Sequence, residues 1–316
     1  MNRRDLLVQS LALLWLSSCG GHPEAPSVVP NSVDSDSVFQ RVYSSPELRT
    51  RFKNFLLNVF HLYPEDAFHG LIAEAAAAGE TDESIYRLIE AGLPKITPMG
   101  ATVRYALPAL KKQKRIMAEQ AVALLGGSTR LDGYVEMGTT GRYLRTLEDR
   151  VQIEGPVFVL NDVAPTNSPV DMVERGQLRK VGSFVHLADY APLSTDIPDA
   201  TIDLVSNLIG FHHAPVDALD PFVESLRRVL RPGGRLLLRE HDVRNPELDS
   251  LVTLAHDVFN VGVGLTWEEN ASQLRAFRSI EDWVRFMEAR GFRREAGSQL
   301  QSGDPTDNTL LAFRRV

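Results

Sequence analysis

Acidic side chains and glycines stand at the ends of short apolar runs in this 316-residue chain. In the first such group, Gly138 and Gly141 follow Glu136 and permit a turn that opens a helix, whose free N–H groups favour an anion. Asp162 comes 24 positions after Gly138 (162 − 138 = 24), a spacing at which an acidic side chain meets a ribose hydroxyl pair in nucleotide-binding sheets. These residues predict a pocket for a nucleotide-like ligand.

Polar and aromatic side chains also follow the next three strands predicted below. Among them His213, Glu240 and His241 are the titratable groups best placed to act as a general base. A structural reading stays open, because acidic residues at strand ends often cap helices and paired histidines can fill a polar loop. The full set comprises Asp189, Tyr190, Asn207, His212, His213, Glu240 and His241.

Metal-ligand residue types also occur in this part of the chain. His241 and Asp242, with His256 on the next predicted helix, have side chains that bind transition metals. Their spacing matches no metal-binding motif, so the sequence predicts no metal site.

The second half of the chain alternates β-forming runs with amphipathic helical patterns. This alternation predicts an α/β fold with a doubly wound, mostly parallel sheet, which binds ligands at the carboxyl ends of its strands. The predicted strands are 134–137, 157–160, 184–187, 202–206 and 235–238, and the predicted helices are 142–150, 219–230 and 248–259.

The region 38–127 reads as a helical cap. Its apolar residues recur at helical spacing, as in Phe52, Phe55, Leu56 and Phe60, and such a stripe is more typical of a core than of a substrate pocket. A helix is expected to start near Ser45. Further helices are predicted from Pro64 to a stop at Gly79, from Thr81 to a stop at Gly92, and over 109–125.

The amino terminus has the pattern of a bacterial lipoprotein signal. Arg3-Arg4 precede an apolar run over 6–16 that is too short to span a bilayer, and the only cysteine, Cys19, stands where lipidation would occur. Residues 1–19 are therefore predicted to be a signal with a lipidation site, 20–37 a disordered tether and 128–316 the catalytic-type domain. We expect a membrane-anchored protein on the extracytoplasmic side, or a cytoplasmic one if the cysteine is there by chance. The paired arginines also resemble a twin-arginine signal.

The domain resembles a class I S-adenosylmethionine-dependent methyltransferase of type 11, over about residues 130–234 and more loosely to Val316. The middle glycine of the family's first loop is missing here. The features that carry the resemblance, in the family's order, are the acidic-glycine turn 136–141, Asp162, Asp189, the run 202–207 into His212-His213, and the stretch 226–234 that ends in Arg-Pro-Gly-Gly.

The resemblance implies a seven-stranded Rossmann-like sheet with S-adenosylmethionine as cofactor. Carried over by position, Glu136, Gly138 and Gly141 would hold the methionine end of the cofactor. Asp162 would bind the ribose hydroxyls.

The remaining positions would surround the base and the sulfonium. Asp189 and Tyr190 would meet the edge and the face of the adenine. Asn207 would contribute to the same cofactor site, and His212 and His213 would lie beside the sulfonium, where the methyl group leaves.

The expected function is methyl transfer to a small molecule or a protein group. The alternative is an exported or tethered binding protein that keeps the fold without turnover, or a structural lipoprotein without a ligand. No nucleic-acid partner is expected, since 41 acidic residues outnumber 34 basic ones and the net charge is −7.

Overall fold

The computed structural model describes residues 37–316. The predicted signal, its Cys19 and almost all of the predicted tether therefore lie outside the described residues. Among residues 37–316, none of the helices is both long enough and apolar enough to cross a membrane.

Eleven α-helices and a π-helical turn form within the described chain. The helices are α1 (Val38–Ser44), α2 (Pro46–Asn58), α3 (Glu65–Ala78), α4 (Asp82–Ile96), α5 (Leu107–Leu124), α6 (Leu144–Glu148), α7 (Pro169–Arg175), α8 (Val216–Val229), α9 (Pro246–Gly262), α10 (Trp267–Ala271) and α11 (Ile280–Glu288), and the π-helical turn is Thr102–Ala106.

Eight strands form one sheet in the described chain. They are β1 (Arg130–Met137), β2 (Gln152–Asn161), β3 (Ser183–His186), β4 (Ile202–Asn207), β5 (Leu230–His241), β6 (Phe292–Arg294), β7 (Gln299–Leu300) and β8 (Asn308–Arg315). The order is β3-β2-β1-β4-β5-β8-β6, with the two-residue β7 paired to β8. This agrees with the predicted seven-stranded sheet, to which β7 adds a short eighth strand.

Strand order reverses at β1, which pairs in parallel with β2 on one side and with β4 on the other. Crossover helices must then leave toward opposite faces of the sheet, so a crevice opens beyond the carboxyl ends of β1 and β4. β5 continues the parallel part, whereas β8 runs antiparallel to β5. The five parallel strands include all five strands predicted from the sequence.

Helices cover both faces of the sheet. On one face α8 and α11 pack against the strands, with Phe222 and Trp283 fully buried. On the other face Ala121 and Leu124 of α5 pack with Tyr134 of β1. The helix predicted in the cap over 109–125 therefore packs directly on the sheet.

A second apolar core lies among α1 to α4 and α9. It includes Phe52 and Ile89 from the amino-terminal region and Leu254 and Val258 from α9, all fully or almost fully buried. The helical layer therefore combines both halves of the chain, although the predicted division lies at residue 127.

The predicted stop of the third helix at Gly92 is wrong, because α4 continues to Ile96. A Cβ at Gly92 would lie 2.3 Å from Cδ1 of Leu71 in α3. Gly92 therefore allows two helices to approach closely and does not end one. The predicted start near Ser45 is confirmed, since its hydroxyl accepts a hydrogen bond from the Leu48 N–H and Pro46 begins α2.

The pairing of β1 with β2 is irregular near the beginning of β1, where β2 has one extra residue. The register with β2 shifts between Asp132 and Tyr134, and Gly133 between them has φ +91°. A Cβ at Gly133 would lie 2.3 Å from the carbonyl oxygen of Thr201, which is backbone and cannot rotate away. Position 133 therefore requires glycine, both because its φ is positive and because its backbone approaches the chain that enters β4.

We predict that Gly133→Ala lowers the free energy of unfolding by more than Gly126→Ala, measured by urea denaturation. Gly126 also has positive φ, at +61°, but nothing lies within 4 Å of its missing Cβ. Gly126→Ala should therefore cost only backbone strain, about 1–2 kcal/mol, and Gly133→Ala should add a clash. Equal losses in the two variants would contradict this account.

Candidate active site

The loop after β1 is held by a buried carboxylate. Glu136 accepts hydrogen bonds from the Tyr143 N–H at 3.0 Å and from the hydroxyl of Thr139. Burial raises the pKa of Glu136, and these hydrogen bonds act in the opposite direction. Glu136 thus fixes the shape of the glycine loop, and direct contact with a cofactor stays a prediction for this residue.

Apolar side chains cover the two glycines of this loop. A Cβ on Gly138 would lie 2.2 Å from Cδ1 of Ile209, and one on Gly141 would lie 2.4 Å from Cγ2 of Val181. Both glycines have positive φ, +77° and +94°, so the turn forms as the sequence predicts. Contact of either glycine with the methionine end of a cofactor stays a prediction.

The carboxyl ends of β2 and β3 bring two predicted carboxylates together. Asp162 is half-buried, and its pKa is raised by desolvation and then by the negative charge of Asp189. The Asp189 N–H donates to the Asp162 carboxylate, which counters part of this shift. An acidic edge, partly shielded from water, thus stands beside the loop of β1.

Three consecutive residues here have left-handed backbone. Ala188, Asp189 and Tyr190 have φ of 49°, 52° and 62°, and the Ala191 N–H donates to the Ala188 carbonyl at 3.0 Å. Each non-glycine residue in this region costs about 1–2 kcal/mol, and such strain clusters at functional sites. The turn carries Asp189 to the surface and Tyr190 inward.

Tyr190 occupies a different place from the one expected for a partner of the adenine face. Its ring is buried and meets Phe222 edge to face, with centroids 5.3 Å apart. The side chain belongs to the core beneath the turn, because a left-handed backbone at this point directs it toward α8. Contact of Tyr190 with the adenine face stays a prediction.

Two buried amides flank the end of β1. Within residues 37–316, Oδ1 of Asn161 and Nδ2 of Asn207 have no hydrogen-bond partner. Asn207 is opposite Met137 in the pairing of β4 with β1, and Asn161 ends β2. An unpaired buried polar atom is costly, so an acceptor and a donor at the strand-order reversal point to a ligand.

A pocket of about 180 Å³ lies between the helical layer and the strand ends. Its apolar wall comes from α2, α5 and α9, and its polar wall from the loops after β1 and β4 and from the carboxyl end of β5. Principal members of the two walls are Phe55, Phe60, Met117, Phe259, Arg142, His212, His213, Arg239, His241 and His256.

Glu240 faces away from the lining of this pocket. Its carboxylate accepts from the Phe211 N–H, and its Oε2 lies 2.7 Å from Nδ1 of His212. Burial raises the pKa of Glu240 well above its usual range. Of the three residues predicted to be catalytic, Glu240 therefore orients His212, while His213 and His241 line the pocket itself.

Four imidazoles lie together in the pocket. The ring centroids of His212 and His213 are 4.3 Å apart, and those of His241 and His256 are 5.3 Å apart. Desolvation lowers the pKa of His212 and of His241 to about 3, and those of His213 and His256 well below the usual value. All four rings are therefore neutral at physiological pH, and each keeps a nitrogen lone pair that can accept a hydrogen bond or bind a metal ion.

A buried ion pair supports the loop from below. Arg142 and Glu174 are 3% and 1% exposed, with Nη2 and Oε1 2.6 Å apart, and Thr140 donates to Oε2 of Glu174 at 2.9 Å. Nζ of Lys114 donates to the Glu174 carbonyl at 2.6 Å. Three positions remote in sequence thus brace the glycine loop.

Sequence reasoning missed Arg142, Glu174, His256 and Asp304 as residues of the site. His256 was visible as a metal-ligand residue type on a predicted helix, but its closeness to His212 depends on the packing of α9 over the strand ends. Glu174 lies on the short helix α7, which no strong pattern predicted. No signal in the sequence could have paired it with Arg142.

Comparisons with known proteins bear on this site. Residues 135–238 match the type 11 family whose description is "Methyltransferase domain". The match covers β1 to β5 and confirms the prediction of a methyltransferase domain with S-adenosylmethionine as its cofactor. A search among curated protein sequences found no significant match.

Solved structures share the general arrangement at low identity. One is the pyocyanin biosynthetic protein PhzM, at 15% identity and TM-score 0.49, covering 86% of this chain and 74% of that one. Another is the CurJ carbon methyltransferase, at 14% and 0.47, covering 99% and 90%. A third is 1,6-didemethyltoxoflavin-N1-methyltransferase from Burkholderia thailandensis with bound S-adenosylhomocysteine, at 14% and 0.44, covering 64% and 78%. None of these likenesses carries weight for the substrate.

The pH dependence of stability tests the burial of Lys114, which donates to the Glu174 carbonyl beneath the glycine loop. Burial lowers its pKa from 10.5 to about 8, so between these values the unfolded chain holds a proton that the folded chain has lost. Stability must then rise with pH across this window. From about pH 7 to about pH 9.5, the wild type should gain about 1–2 kcal/mol relative to Lys114→Met in urea unfolding.

The exposed Lys111 supplies the control. Lys111→Met should differ from the wild type by the same amount at both pH values. A difference between the wild type and Lys114→Met that is independent of pH would show that Lys114 keeps its ordinary pKa in the folded chain.

Proposed function

We propose that the chain transfers the methyl group of S-adenosylmethionine to a small-molecule acceptor held under the helical layer. The adenosine would lie over the ends of β2 and β3, and the acceptor would occupy the pocket beyond β1, β4 and β5. This division follows the strand-order reversal, where open α/β sheets bind ligands.

The observation that carries the proposal is the pairing of Asp162 with Asp189 next to the unpaired amides of Asn161 and Asn207. A nucleoside offers hydroxyl donors for a carboxylate and ring nitrogens and amines for amides. Asn161 and Asn207 are buried and Asp162 is half-buried, and removing these three groups from water without a ligand is unfavourable, as the raised pKa of Asp162 shows for one of them. The residues present therefore fit an adenosine.

The pocket favours a small organic acceptor over a protein group. A volume of about 180 Å³ fits only a small group, and apolar rings such as Phe55, Phe60 and Phe259 form one wall. Arg239 and the imidazoles on the other wall can orient polar substituents. These contrasting walls are typical of small-molecule sites.

Little chemical assistance is needed for the transfer itself. S-adenosylmethionine supplies an activated methyl group on a sulfonium, so the protein has to align the acceptor and exclude water. An acceptor that arrives protonated must lose a proton. Among the described residues, neutral His213 lines the pocket with Nδ1 3.2 Å from the Leu274 carbonyl, which leaves Nε2 as the proton-accepting nitrogen.

Binding without turnover is less well supported than transfer. The match to a methyltransferase domain covers the strands that form the site, and neutral imidazoles line the adjoining pocket.

Asp162→Asn tests the cofactor site in the purified protein by calorimetric titration with S-adenosylmethionine and S-adenosylhomocysteine. Loss of charge-assisted hydrogen bonds to the ribose should weaken binding by about 1.5–3 kcal/mol, or about 10- to 150-fold. The ligand-free variant should be at least as stable as the wild type near neutral pH. The reason is that an acid with a raised pKa destabilises the folded state once it is ionised.

The matched control is Asp203→Asn. Asp203 lies near the amino end of β4, at the opposite end of the parallel strands from Asp162. Asp203 accepts from the Asp132 N–H at 2.7 Å and from Arg231 at 2.8 Å, so this variant should lose stability and keep its cofactor affinity. Cofactor binding by a folded Asp162→Asn variant that equals wild-type binding would remove the ribose role.

We also propose that the protein is anchored outside the cytosolic membrane through Cys19. Support comes from the sequence alone, where the only cysteine follows an apolar run of signal length. Several acyl chains on one cysteine would hold the protein at a membrane, whereas a single chain binds marginally.

In a bacterial host, full-length protein should partition into detergent and incorporate labelled fatty acid. Cys19→Ser should remain an unprocessed, unlabelled precursor. Wild-type protein found wholly in the soluble cytosol would contradict the anchor and leave the methyl-transfer proposal unaffected.

A further inference from the structure

Three histidines from separate elements converge in the pocket described above. His212 lies in the loop after β4, His241 ends β5 and His256 lies on α9. One nitrogen from each ring lies within 4.8 Å of the nitrogens of the other two. Their ring centroids are 5.5, 5.3 and 5.3 Å apart, which is a nearly equilateral triangle.

Hydrogen bonds on the far side of each ring fix which nitrogen faces the centre. Nδ1 of His241 lies 3.2 Å from the Thr306 carbonyl, and Nδ1 of His256 lies 2.8 Å from the Val252 carbonyl. A carbonyl can only accept, so both Nδ1 atoms carry the proton and both Nε2 atoms keep a lone pair.

His212 follows the same pattern with a carboxylate. Its Nδ1 faces Oε2 of Glu240 at 2.7 Å, and the Glu240 carboxylate already accepts from the Phe211 N–H. Nε2 of His212 is buried and has no hydrogen-bond partner in the described part of the chain. An acceptor on Nδ1 that leaves Nε2 free is the arrangement that orients metal-binding histidines.

Three lone pairs that meet in a buried place repel one another unless a cation lies between them. We propose that His212, His241 and His256 form a binding site for a divalent transition-metal ion, of which Zn²⁺ is the representative. Tetrahedral Zn²⁺ needs ligand nitrogens roughly 3.4 Å apart, from Zn–N distances of about 2.0–2.1 Å. The three nitrogens lie within 4.8 Å of one another, so they would have to approach by up to about 1.4 Å to bind the ion.

Two acidic side chains lie near the proposed ion, whose positive charge would favour their ionised forms. Glu240 stands behind His212, and the Asp304 carboxylate acts electrostatically on His241. Oδ1 of Asp304 accepts from Thr306, whereas its Oδ2 is buried without a partner among residues 37–316. Neither acidic side chain is among the three proposed ligands. Both lie behind or beside a ligand histidine, where groups that orient and tune metal ligands are usually found.

Three protein ligands leave a coordination position open, as in catalytic rather than structural zinc sites. All three histidines line the pocket, so that position faces the space proposed for the methyl acceptor. A thiol or hydroxyl of the acceptor bound there would lose its proton more readily and become a better nucleophile. This consequence rests on the proposed function, whereas the metal site itself does not.

The test is a titration of the purified, chelator-treated protein with Zn²⁺ and with Co²⁺. The wild type should bind about one ion per chain, with a Co²⁺ absorption spectrum typical of four- or five-coordinate nitrogen sites. Zn²⁺ should raise its melting temperature. His241→Ala and, separately, His256→Ala should each weaken Zn²⁺ binding by about 100-fold or more, beyond the effect of losing a second partner.

His61→Ala is the matched control, because His61 is partly exposed and pairs with Glu65 at 3.1 Å. It should bind Zn²⁺ as the wild type does. Wild-type protein that binds no ion, or histidine variants that bind as tightly as His61→Ala, would overturn the proposal. If the variants fail to fold, the wild-type Co²⁺ spectrum and melting shift decide the question alone.

Cofactor titration in parallel separates the two proposals. Asp162→Asn should bind Zn²⁺ normally while losing affinity for S-adenosylmethionine, and His241→Ala should show the reverse. If the wild type binds Zn²⁺ but does not bind S-adenosylmethionine, the proposed function is rejected and the metal site is retained.

Discussion

The parallel pairing of β1 with both β2 and β4 is the constraint on which the rest of the structure depends. Because strand order reverses there, the connecting helices leave to opposite faces and the ends of β1 and β4 cannot be covered by either set. Side chains at those ends lie in a crevice closed from above by the helical layer. Glu136, Asn161 and Asn207 are buried there, and each needs a partner that the strands cannot supply.

The glycine loop shows how these requirements are met. Glu136 accepts hydrogen bonds from groups of the loop itself, and the buried Arg142–Glu174 ion pair supports the loop from below. A buried pair of this kind contributes little net stability, but removal of one partner leaves a charge with no adequate partner, so its main effect is to specify one conformation. The left-handed turn at 188–190 is strained, and it borders the place proposed for the adenosine, as the glycine loop does.

The sequence predicted the sheet well because strands buried on both faces, such as β4, give short continuous apolar runs. The largely exposed β3 was also predicted, one residue out of register with its observed bounds. It misjudged Gly92, because the sequence alone cannot distinguish a glycine that ends a helix from one that lets the side chain of Leu71 pack closely against the helix. It could not show that Tyr190 points inward against Phe222, since the left-handed turn at that residue cannot be read from residue type. The triangle of His212, His241 and His256 joins a loop, a strand end and a helix, and only tertiary packing brings them together.

The cofactor is proposed to bind with its nucleoside over β2 and β3 and its sulfur facing the pocket under the helical layer. A crystal structure of the protein with S-adenosylhomocysteine tests this placement most directly. We expect the ribose hydroxyls on the Asp162 carboxylate, the adenine near Asp189, and the sulfur at the loop after β1 on the side of His212 and His213. A ligand bound elsewhere, or a crevice that excludes it at saturating concentration, would contradict the claim.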